Sequence, residues 1–141
     1  MTKTTNYQLN QWAKSDRLMM DDFNADNAKI DAALKANADA MPRILHGSYT
    51  GDGADTRTIS LPFTPKAVLI TTADGQMCSV QSSHTYLRGG IALQEKPAAH
   101  NSAIFISVVT DGFQVYKAQP GTNLHTETNT KNTEYVYIAV G

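Results

Sequence analysis

The chain has 141 residues, 41% hydrophobic and 18% charged, with a formal net charge of −1. That is enough apolar material for one compact domain with an appendage, and the near-neutral balance gives no field that favours nucleic acid or an anionic membrane. A single cysteine, Cys78, excludes an intrachain disulfide framework, and no apolar run approaches the roughly 20 residues that insertion across a bilayer requires.

The opening Met1-Thr-Lys-Thr-Thr-Asn6 lacks the apolar core of a secretory signal. Synthesis in the cytoplasm as a soluble product is therefore expected; if the protein acts outside a cell, it leaves by lysis or within a larger particle. Residues Thr2 to Ser15 are polar, punctuated by Tyr7, Leu9 and Trp12. They read as an extended arm lying on a partner or as a terminus folded back on its own helix. Ser15 or Asp16 is the expected N-cap of that helix, with Asp21 and Asp22 near the positive end of its dipole. Pro42 is expected to close it.

Within the helix, Met20, Phe23, Asn27, Ile30, Leu34, Asn37, Met41 and Ile44 step by alternating threes and fours, the spacing of a coiled-coil seam. Asn27 and Asn37 favour a seam, because buried Asn there sacrifices stability for register. A lone helix docked on its own domain would show a similar stripe through Met19, Phe23, Ile30, Ala33 and Leu34. Asp22, Asp26, Lys29, Lys35 and Asp39 read as the solvated face.

After Pro42 the pattern becomes one of β-branched and aromatic runs between Gly and Asn/Asp turns. Strands are expected over Arg43–Tyr49, Arg57–Leu61, Lys66–Thr72, Gln76–Gln81, Gly90–Leu93, Ala103–Val109, Phe113–Lys117 and Tyr135–Val140. Asp111-Gly112 reads as a hairpin turn. His84–Gly89 and Glu95–Asn101 read as loops, and Gln119–Asn132 as a surface excursion or hairpin. The expected fold class is α+β. Residues 1–42 form an arm and a self-associating coiled-coil helix, and residues 43–141 form an antiparallel β-sandwich head.

No catalytic constellation emerges, so no enzyme is expected. His84, His100 and His125 lack tight metal-ligand spacing, and Asp52-Gly-Ala-Asp55 is short of a calcium loop's ligand count. Ser82-Ser83-His84 is no nucleophile elbow, and no phosphate-cradling Gly loop occurs. No metal or cofactor is expected. The binding candidates are His84, Tyr86, Arg88, His100 and Asn101, since aromatic rings stack on sugar faces while Arg and Asn offer planar hydrogen bonding.

Asn6-Tyr-Gln-Leu-Asn-Gln-Trp12 and Asp21-Asp-Phe-Asn-Ala-Asp-Asn-Ala-Lys-Ile-Asp31 resemble the N-terminal segment of tail proteins from phages and prophages of Gram-positive gut bacteria. Gly47-Ser-Tyr-Thr-Gly-Asp-Gly53, Leu61–Ile70 and the closing Tyr135-Val-Tyr-Ile-Ala-Val-Gly141 are similar to the β domains that end such fibres. The resemblance implies a homotrimeric, non-enzymatic receptor-binding protein of the virion tail. Its arm would contact other tail or baseplate proteins, and its head would bind a host cell-surface glycan. Neither nucleic acid nor membrane insertion enters this expectation. A baseplate or capsid decoration protein and a free carbohydrate-binding lectin are the alternatives.

Overall fold

A computed structural model describes all residues, Met1–Gly141, and resolves two compact units, Met1–Met41 and Pro42–Gly141. In the first unit, strands β1 (Thr2–Lys3) and β2 (Asn10–Gln11) form a short antiparallel ribbon, followed by helix α1 (Met20–Ala40). The N-cap is Met19, which makes no side-chain capping bond. Asp16, an expected cap, instead accepts from the Ala13 amide and pairs with the Met1 ammonium at 2.9 Å.

The coiled-coil expectation is overturned. The chain is 47% strand and 15% helical, a β-rich fold with one helix of about 21 residues and several sheets, not a helical coiled coil. The arm explains part of the difference. The Asn10 amide donates to Asp26 at 2.8 Å, and Lys29 Nζ donates to the Gln8 carbonyl at 2.6 Å. Asp22, Asp26 and Lys29, read as a solvated face, are thus partly covered by the chain's own N-terminus. Trp12 stacks on Phe23, with ring centroids 5.7 Å apart. Tyr7 lies beside Ile30, Ala33, Leu34 and Asn37.

Of the seam residues, none is buried: Met20, Phe23, Asn27, Ile30, Leu34, Asn37 and Met41 are all exposed. Ile44, the last in the series, lies in a strand. Steps of three and four describe any stripe along a helix, and the two Asn residues here sit in water.

The second unit holds eleven strands. These are β3 (Ile44–Thr50), β4 (Thr56–Ser60), β5 (Ala67–Thr72), β6 (Cys78–Gln81), β7 (His84–Leu87), β8 (Gly90–Leu93), β9 (Ala98–His100), β10 (Ala103–Val109), β11 (Gly112–Gly121), β12 (Leu124–Glu127) and β13 (Glu134–Val140). A four-stranded sheet has the order β3-β13-β5-β8. A seven-stranded sheet runs β6-β7-β12-β11-β10-β9, with β4 also paired to β11. The pairing is antiparallel except for β7 with β12, which is parallel, so the expected all-antiparallel sandwich is corrected in that detail.

The inner faces meet in one apolar core. Tyr49, Val68, Ile70, Ala92, Tyr135 and Ala139 come from the smaller sheet, and Leu87, Phe105, Ile106, Phe113 and Val115 from the larger. Tyr49 stacks on Tyr135 with centroids 5.0 Å apart. Their hydroxyls do not remain unpaired, which would be costly at such depth. Tyr49 donates to the Thr128 carbonyl at 2.6 Å and Tyr135 to the Glu127 carbonyl at 2.5 Å. Burial, with Tyr135 alongside, pushes the Tyr49 phenol well above its ordinary range. The core aromatics thereby anchor the chain that follows β12.

The same chain secures the turn after β3. Fully buried Asn129 donates to Asp52 at 2.6 Å and to the Ala54 carbonyl at 2.9 Å, and its own carbonyl accepts from Gly53. A Cβ at Gly51 would lie 2.1 Å from the Thr130 carbonyl oxygen, so only glycine fits. Asp52-Gly-Ala-Asp55 is a turn locked by an internal amide.

Candidate functional site

Three of the five sequence candidates fall on one strand or just beyond it. His84 and Tyr86 lie in β7, and Arg88 follows its end. A period of two puts them on one face. The intervening Leu87 is buried in the core, so that face is the outer one. Segment His84–Gly89, expected as a loop, is largely strand because Ser82 and Ser83 both adopt positive φ, at 47° and 72°. This closes a two-residue hairpin from β6.

Strand β12 adds the residues that sequence reasoning missed. In the parallel register His125 faces Tyr86, with ring centroids 4.7 Å apart and planes 17° from parallel. His84 lies 5.6 Å from His125 and 6.4 Å from Tyr86, centroid to centroid. The Arg88 guanidinium sits 5.6 Å from the Tyr86 ring centroid, within cation–π reach. It also donates to Glu127 at 3.1 Å and to Gln76 at 3.2 Å. On the same row, the Ser79 hydroxyl and the His125 Nε2 are buried and have no hydrogen-bond partner.

A cleft of about 260 Å³ opens beside this platform, lined by Asp55, Lys117, Gln119, His125 and Glu127. Its walls carry both signs of charge and amide donors and acceptors. The site therefore joins a stacked aromatic pair to planar hydrogen-bonding groups. Apolar rings beside such donors and acceptors are the chemistry that holds a polyhydroxylated ligand.

His100 and Asn101 are not part of this cluster. His100 ends β9 at the opposite edge of the sheet, beyond β12, β11 and β10. Asn101 and Ser102, at φ 48° and 68°, form the exposed hairpin turn to β10. A cue for His125 and Glu127 did exist in the sequence: Leu124-His-Thr-Glu127 alternates with period two inside the stretch read as an excursion. No group of three or more His, Cys, Asp or Glu side chains converges to hold a metal ion. No helix is long and apolar enough to cross a membrane.

Comparison with family models, curated proteins and solved structures finds no match to this chain.

Proposed function

We propose that this chain is a non-enzymatic glycan-binding protein of a phage or phage-like tail, attaching the particle to a bacterial surface. The observation that carries the binding role is the Tyr86–His125 stack at the mouth of a polar cleft. A sugar ring packs beside the stacked pair, while Arg88, Lys117, Gln119 and Glu127 hold its hydroxyls. A binding role also suits the charge arrangement, since Arg88 engages Glu127 directly in an ion pair. The tail assignment comes from the likeness of Asn6–Trp12, Asp21–Asp31 and Tyr135–Gly141 to tail proteins.

Whole-cell and glycan-array binding test both parts. Binding is expected for the parent chain, with a loss of at least about tenfold in Tyr86→Ala and in His125→Ala, the scale of one aromatic contact. Binding that survives both substitutions in a folded protein refutes the site. Antibodies against the chain that fail to label particle tails refute the tail assignment and leave a free lectin.

A further inference from the structure

We infer that the outer face of the four-stranded sheet is a self-association surface covered by a second copy of this chain. Register fixes what that face carries. One row across the sheet is Ile44, Val140, Ala67 and Leu93; the next is His46, Ile138, Leu69 and Ile91; the third is Ser48, Val136 and Thr71. In the fourth, Thr50 stands beside Glu134. Ile44, Ile91, Leu93, Ile138 and Val136 are 67%, 61%, 47%, 45% and 41% exposed. The alternation of β13 accounts for this polarity: its tyrosines and Ala139 face the core, leaving Val136 and Ile138 outside.

A solvated sheet face ordinarily carries Lys, Glu or Thr at such positions. Here the first three rows hold no Lys, Arg, Asp or Glu, and Glu134 stands at one end. A groove of about 470 Å³ runs over the same face, bordered by His46, Leu69, Thr71, Val136 and Ile138, with Glu134 as its one charged residue.

The charge pattern selects the occupant. A lipid surface would call for a basic rim, and a partner of opposite charge would call for a complementary field. The three apolar rows carry no charge to repel their own image, and a two-fold axis running across the strands sets Glu134 of one copy at the opposite end of the face from that of its mate. Strands about 4.8 Å apart and about 3.3 Å per residue give the face roughly 440 Å² in projection. A standard interface takes about 800 Å² of accessible surface from each partner. The association is therefore expected to be reversible at micromolar concentration. The inference does not rest on the glycan reading, whose site lies on the other sheet.

Sedimentation equilibrium of the full chain from about 1 to 200 µM tests it. The expected result is a mass above one chain that falls on dilution. Ile138→Lys and, separately, Ile91→Glu should each raise the dissociation constant at least about tenfold with an unchanged far-ultraviolet spectrum. Ile91 is the more exposed of the two, so its variant decides the matter where Ile138→Lys fails to fold. Leu34→Glu, on the helix, should leave association intact. A parent chain that stays monomeric throughout overturns the inference. So does self-association that both sheet variants leave unchanged, or that Leu34→Glu abolishes. Glycan affinity of Ile91→Glu at a single site should match the parent's, which separates this failure from that of the binding site.

Discussion

Tyr86 and His125 face one another across a parallel strand pair, their ring centroids 4.7 Å apart and their planes 17° from parallel. They are 39 residues apart in sequence, and only the β7–β12 pairing makes them one surface. Arg88 completes that surface by lying over Tyr86 while binding Glu127. Arg88→Lys keeps the charge but loses the planar fork. It should weaken glycan binding several-fold with little change in melting temperature, measured by calorimetric titration and thermal denaturation. Unchanged affinity would remove Arg88 from the site.

Tyr135 links the core to the site, since its hydroxyl donates to the carbonyl of Glu127 and accepts from the amide of Thr130 at 3.2 Å. Tyr135→Phe leaves that carbonyl without its donor. Chemical denaturation should show a loss of about 1–3 kcal/mol. A loss near zero would mean that water substitutes for the hydroxyl.

The Ser82-Ser83 turn holds two L-residues at positive φ, a conformation costing each roughly 1–2 kcal/mol. Replacing the pair by Asn-Gly, the preferred two-residue hairpin sequence, should stabilise the protein by about 1 kcal/mol or more and raise its melting temperature. Because β7 carries the platform, glycan affinity should hold or improve slightly. A destabilised variant would show that the serine side chains contribute something the backbone conformation does not explain.

Acid stability follows from Asp52. The backbone N–H of Ala54, then the Asn129 amide, and in addition the Arg57 guanidinium hold its carboxyl below the ordinary 3.8. Thr72, through its hydroxyl, does the same for Asp74. A depressed folded pKa means that the stabilisation is complete above the unfolded value and disappears as pH falls through the folded one. Melting temperature should therefore be insensitive to these two groups above about pH 4 and decline below it. Asp52→Asn should flatten that acid decline, and an identical slope in the variant would refute the assignment.

Helix α1 begins at Met19 without a side-chain cap. Met19→Asp places an acceptor beside the free N–H groups and a negative charge at the positive end of the dipole. Hydrogen exchange of the first helical turn should slow by the equivalent of about 1 kcal/mol. No slowing would place the effective start of the helix elsewhere.

The sequence by itself determined the change of code at Pro42, the strands within Lys66–Thr72 and Ala103–Val109, and the single helix. Each of these is a local property: helix-permissive composition on one side, continuous β-branched runs on the other. It also placed His84, Tyr86 and Arg88 among the candidates by residue type. Tertiary structure alone decided the rest. Strands β7 and β9 were hidden because Ser82-Ser83 and Asn101-Ser102 make tight turns without glycine. His125 and Glu127 joined the site, and His100 and Asn101 were set apart from it, through strand order, which depends on pairings far apart in the chain. The helix stripe was read as a seam because spacing records only which residues share a face. What covers that face is a matter of which other surfaces come within reach, and here the chain's own Trp12 and Tyr7 take part of it.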